Sequence, residues 1–238
     1  MKNKGLLLYF VLISLLLSGC GKKELSKQVV VTINDEKVYM DEVIWELFLY
    51  EYDLYEDSKD YEKENGKSYW QIDIGDGVTV GDALKEEVIN DIIFTHILSG
   101  QAKKTGSFVI EDNGGYDEII DKDMALINDK LEDYGMTREG CRKLIETQGL
   151  FNYYLEEILK KYEVDEDKIR EENPYDKDTY ETKKNYNEYI DSLIKDAKMQ
   201  KLTDEYNNTL LGMYDVKIND EVWDAYEVGE LTKMLDNK

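Results

Sequence analysis

Val29-Val30-Val31-Thr32-Ile33, followed by Asn34-Asp35-Glu36 and then by a helical pattern from Glu42, is the stretch that decides the fold. Five β-branched residues in succession favour an extended backbone, so the run reads as a strand. Asn34-Asp35-Glu36 then turns the chain, and Asp41 is placed to cap a helix over Glu42 to Tyr55 with Ile44, Leu47, Phe48 and Tyr55 on one face. A matching partner comes only near the other end, where Tyr214-Asp215-Val216-Lys217-Ile218 alternates with period two. Each short strand alone leaves backbone donors and acceptors unpaired. The expectation is therefore a mainly α fold, with a small two-stranded sheet joining its N- and C-terminal segments.

Between the strands the chain is helical. Residues 56–81 are polar and contain glycine, with Trp70, Ile72, Ile74 and Val78 interspersed, and read as an ordered loop. Asp82 is expected to cap a central helix, since Leu84, Val88, Ile89, Ile92, Ile93, Ile97 and Leu98 make a wide apolar stripe. Asp117 to Tyr134 repeats Ile120, Met124, Ile127 and Leu131, and Thr137 to Lys161 aligns Leu144, Gln148, Phe151, Leu155 and Ile158. Asp165 opens a short helix that must end before Pro174, because the residue preceding a proline disfavours helix. Tyr180 to Gly212 is one long helix or a broken pair. With Pro174 as the single proline and 19 tyrosines, the composition suits long helices carrying large amphipathic side chains.

Ahead of the fold, Lys2 and Lys4 precede an apolar run from Leu6 to Leu17, shorter than the roughly 20 residues of a membrane span. The run closes on Leu17-Ser18-Gly19-Cys20, which resembles the lipobox of bacterial lipoproteins. That resemblance implies a signal peptide over residues 1–19, lipid attachment at Cys20 and a tether over residues 20–28. It implies a lipid-anchored protein on the extracytoplasmic face of a cell membrane, held by diacylglycerol plus an amide-linked acyl chain such as palmitate, at roughly 0.8 kcal/mol per buried methylene. An ordinary signal peptide with a chance cysteine is the alternative.

The formal net charge is −23 at pH 7, and more acidic still without residues 1–19, which hold Lys2 and Lys4 and no acid. Phosphate neutralisation needs clustered cations, so nucleic acid is not expected as a partner. With Cys20 lipidated, Cys141 is the one thiol left, which excludes an intramolecular disulfide, a thiol redox pair and a cysteine-rich zinc site. Cys141 is expected to be a small buried apolar residue.

The order of elements resembles the chaperone domain of the SurA/PrsA family of exported foldases. Thr32-Ile33-Asn34-Asp35-Glu36-Lys37-Val38 with Glu42 matches the family's opening pattern, except that Asp35 replaces a glycine. Ile92-Ile93, Ile97-Leu98, Ala102 and Gly106 match its next helix. Gly135-Met136-Thr137-Arg138-Glu139, Arg142, Ile145, Gln148 and Leu150 match the third segment, and Val164 to Ile169 with Asn173-Pro174 match the fourth. The resemblance covers roughly residues 29–175 and implies a domain over 29–238, with residues 175–238 returning to the N-terminal strand. Where the family places a parvulin-type prolyl isomerase domain, residues 175–213 are polar and helical, so no isomerase chemistry is expected.

Few groups offer chemistry. His96 is the only histidine; Phe94-Thr95-His96-Ile97-Leu98 echoes the start of a parvulin domain but lies within the central stripe, and reads as a satisfied core or boundary histidine. A multi-histidine zinc site is excluded. Asp73-Ile74-Gly75-Asp76-Gly77 resembles the start of a calcium loop but has glycine at positions three and five, where oxygen ligands are needed. No enzyme activity, cofactor or metal is expected. Trp45, Phe48, Tyr50, Tyr52, Tyr55, Phe151, Tyr153 and Tyr154 fall on more than one side of their helices. They either complete the core and its rim or face a crevice that holds extended polypeptide. On the second reading, Tyr50, Tyr52, Tyr153 and Tyr154 bind clients, and the partners are unfolded or nascent exported polypeptides. The rival is a ligand-binding or assembly lipoprotein with one fixed protein partner.

Overall fold

The computed structural model describes residues 25–105, 118, 120–122, 135–176, 179–180 and 182–231. Cys20 and the signal segment lie outside the described residues, as does most of the helix expected over 117–134. The β-branched run forms β1 (Val29–Ile33), the middle strand of a three-stranded antiparallel sheet. The strand Val216–Ile218 pairs along one side, with Thr32 opposite Lys217. On the other side lies β2 (Glu36–Tyr39), with Ile33 opposite Glu36. The N- and C-terminal segments thus join as expected, but the sheet has three strands rather than two. The physical reason is the loop: Asn34-Asp35 alone reverses the chain, so Glu36 is already in the returning strand. Asn34 adopts φ +54°, a conformation that asparagine tolerates better than most residues. Its side-chain oxygen accepts from the Asp215 amide at 2.9 Å, and its own amide donates to the Asp215 carbonyl at 2.7 Å.

β2 runs directly into α1 (Met40–Asp53), so the extended residue at its start is Tyr39, which makes no side-chain cap. Asp41 is not the N-cap. It lies in the first turn and accepts a hydrogen bond from the Thr137 hydroxyl at 2.9 Å. The polar stretch read as a loop contains α2 (Tyr55–Asn65), ended by Gly66 in the left-handed region. This helix lacks an apolar stripe, which is why periodicity misses it; charged residues of good helix propensity and local bonds such as Lys59 to the Tyr55 hydroxyl sustain it. A short turn carrying Trp70 leads to the hairpin β3 (Asp73–Gly75) and β4 (Val78–Thr79).

α3 (Val80–Thr105) is the central helix. Its start is a reciprocal box in which Asp82 accepts from the Thr79 amide and Thr79 accepts from the Asp82 amide, so Asp82 acts from inside the helix rather than as the cap itself. Leu84, Val88, Ile89, Ile92, Ile93 and Ile97 are buried, each worth about 1.5–3 kcal/mol of burial. α4 (Arg138–Leu159) packs on α1 and α3, with Thr137 as N-cap accepting from Gly140. Glycine is required at 140, because a Cβ there would lie 2.5 Å from the Asp41 carbonyl oxygen. Cys141 is buried, as expected. α5 (Glu166–Glu172), capped by Asp165, stops at Asn173, and α6 (Lys183–Glu205) returns along α4.

After α6 come one π-helical turn, Tyr206–Leu210, a tight turn, Leu211–Met213, and then β5 (Val216–Ile218) and α7 (Asp220–Asp224). The segment beyond α7 is clasped to the core. Lys85 donates to the carbonyls of Trp223 and Tyr226, and buried Glu51 accepts from the Gly229 and Leu231 amides and the Tyr226 hydroxyl. Among the described residues no helix is long and apolar enough to cross a membrane.

Candidate functional site

α3 presents two different faces to the rest of the molecule. On one, His96 is 5% exposed and sits between two carboxylates: its Nδ1 lies 3.1 Å from Glu36 of β2, and its Nε2 lies 2.8 Å from buried Glu42 of α1. Burial disfavours the imidazolium, but hydrogen bonds and charge from Glu36 and Glu42 outweigh it and push the His96 pKa up to about 9. Both ring nitrogens therefore carry protons at neutral pH and donate to the carboxylates. His96 also holds the Glu36 carboxyl below its ordinary value. The cluster pins β2, α1 and α3 together, which is the satisfied core histidine expected from the sequence.

Beside this cluster is a cavity of about 10 Å³ lined by Glu46, Asp91, Thr95, Thr147 and Gln148 as well as Glu42 and His96. Glu46 accepts from the Gln148 amide at 3.0 Å, yet burial, followed by repulsion from Asp91 and Glu42, raises its pKa to about 7. Asp91 accepts a short hydrogen bond from the Tyr50 hydroxyl. Burial first, and then Asp91, push the Tyr50 pKa upward.

Asp91 also lines the other face, where a groove of about 430 Å³ runs between α3 and the end of α6. That volume lies within the ~300–1,000 Å³ typical of ligand clefts. Its apolar floor is Ile93, Phe94, Met199, Tyr206 and Leu211, and Asn90, Thr203 and Asn207 bring amide and hydroxyl groups to its walls. Phe94 meets Tyr206 edge to face at 4.7 Å and Phe151 at 5.7 Å, which fixes the floor. The wall at Tyr206–Leu210 exists because the helix widens there: the Leu211 amide bonds the Tyr206 carbonyl, five residues back. Such single π turns are frequent at functional sites. Past Tyr206 a second recess of about 280 Å³ opens, with Tyr154, Gln101 and Glu205 on its walls.

The four tyrosines singled out by sequence are not gathered in one place. Tyr154 lines the second recess and donates to Gln101 at 3.1 Å. Tyr50 is half-buried and reaches the groove only through Asp91. Tyr52, 50% exposed, leans on Phe48, and Tyr153 is 37% exposed and lines neither recess. Trp45 and Phe48 are core residues. Sequence reasoning missed Glu46, Asp91 and the wall at Met199, Tyr206 and Asn207. The available signal was acidic residues at 42, 46 and 91 within strongly apolar helices, where a charge is costly to bury. Comparison with known protein families, with curated proteins and with solved structures gives no match to this chain.

Proposed function

We propose that this protein is a membrane-anchored, extracytoplasmic holdase that binds unfolded or newly exported polypeptides in the groove along α3, without isomerase chemistry. The observation that carries this reading is the groove: an apolar floor beside amide and hydroxyl walls. Such a surface can take side chains of many sequences on its floor while Asn90, Thr203 and Asn207 exchange hydrogen bonds with an extended backbone. Burial of client surface at about 25 cal/mol per Å², less the ordering costs, gives reversible affinity, which a release-competent holdase needs. The lipobox at Cys20 and the SurA/PrsA-like order of segments support the location and the class.

A dedicated assembly factor is the second reading, favoured by Met213, which is 73% exposed next to the groove's Leu211, and by Ile218, 39% exposed on the edge strand β5. Client breadth separates the two. The full chain is expected to slow aggregation of several unrelated unfolded proteins and to leave a proline-limited refolding rate unchanged. Protection of none of them rejects the holdase, and catalysed refolding at substoichiometric protein rejects the absence of isomerase chemistry. Mass spectrometry of the mature N-terminus tests the anchor, since an unmodified Cys20 contradicts it.

A further inference from the structure

Building on the holdase reading, we infer that the groove selects segments that combine apolar residues with lysine or arginine, the cation lying over Asp91. The groove is apolar along its floor and acidic at one end. Asp91 belongs to both the groove and the cavity behind it, where Glu46 and Glu42 follow. Glu87, one helical turn before Asp91 on α3, is an exposed carboxylate on the same side of that helix. Among the described residues, no lysine or arginine lines either space. The one cation present, His96, is already held between Glu36 and Glu42. Glu46 and Asp91 have a glutamine amide and a tyrosine hydroxyl as neutral donors, so this end keeps an excess of negative potential. A bound chain whose lysine stem lies along Ile93 and Phe94 would bring its ammonium to that end, burying the stem and leaving the charge at the carboxylates.

Three fluorescent peptides on one leucine- and phenylalanine-rich scaffold, with lysine, glutamine or glutamate at the variable positions, test this against the full chain in zwitterionic nanodiscs. The readout is anisotropy, with empty discs as the blank. The lysine peptide is expected to bind roughly tenfold tighter than the glutamine peptide, and the glutamate peptide weakest. The lysine advantage should shrink at about 0.5 M salt. Asp91→Asn, which keeps an acceptor for Tyr50, and the exposed Glu87→Gln should each cut the ratio of lysine-peptide to glutamine-peptide affinity by about threefold or more. Equal binding of lysine and glutamine peptides, or a lysine preference that survives both substitutions, overturns the inference while the holdase reading stands. Failure of all three peptides to bind overturns both.

Discussion

The two faces of α3 handle charge in opposite ways. At His96 itself opposite charges meet: the imidazolium touches Glu36 and Glu42, and three elements converge on it. Five residues earlier, Asp91 meets a tyrosine hydroxyl and a neighbouring carboxylate, with a groove in front of it. The first arrangement spends its charges on holding the fold. The second leaves negative potential at the groove, so one helix separates a structural ionic cluster from the proposed binding site.

The largest expected effect tests the closed face. His96→Leu leaves Glu42 buried without its cation and should cost about 3–5 kcal/mol in urea unfolding. The pH dependence follows from the same contacts. The folded pKa of about 9 lies above the ordinary 6.5, so the stabilisation is complete below 6.5 and is lost as pH rises through 9. The substituted protein should lack that alkaline loss, and an unchanged loss would locate its cause away from His96.

Glu46 shares the sign of that pH dependence, over a lower window, but its charged form destabilises the fold where that of His96 stabilises it. Its pKa rises from 4.5 to about 7, so the folded chain binds the extra proton and stability falls as pH climbs between those values. Glu46→Gln, which still accepts from Gln148, should stabilise the protein by on the order of 2 kcal/mol at pH 8 and hardly at all at pH 4. Equal thermal shifts at both pH values would show that Glu46 does not sense the carboxylates beside it.

The closed face was far more legible in the sequence than the open one. The strand Val29–Ile33 and the stripe from Leu84 to Leu98 announce themselves through β-branching and helical period, which are local properties. The resemblance segments also fall on joints: Asn34 forms the hairpin loop, Met136 is fully buried, and Thr137 caps α4 against Asp41. The groove is a relation between α3 and α6, more than a hundred residues apart in the chain, and depends on a π turn that no propensity at Tyr206–Leu210 signals. α2 escaped for a different reason, since a helix without an apolar stripe leaves no period to read. Where the tyrosines fall was not legible, because abundance says nothing of position, and only the packing of α3, α4 and α6 brings Tyr154 to a recess and leaves Tyr153 outside it.

Groove substitutions should cost little stability and much binding. Met199→Ser and Asn207→Ala are half-buried and exposed positions. Each should change stability by about 1 kcal/mol or less, and together they should weaken protection of unfolded clients severalfold. Full protection by the folded double variant would move client binding off this groove.

The smallest effects are expected at the tyrosines that the sequence singled out but the fold leaves in solvent. Tyr52→Ser and Tyr153→Ser remove rings that are 50% and 37% exposed and line neither recess, so each should shift stability by about 0.5 kcal/mol or less. If the groove is where clients sit, protection should be unchanged in these variants, whereas Tyr154→Ser, which strips a wall from the second recess and a bond to Gln101, should weaken it. The three substitutions exchange the same side chain and differ only in place, so their ranking reads location rather than chemistry. Loss of protection at Tyr52 or Tyr153 with none at Tyr154 would put the client on the outer surfaces of α1 and α4 and return the groove to a packing feature of α3 and α6.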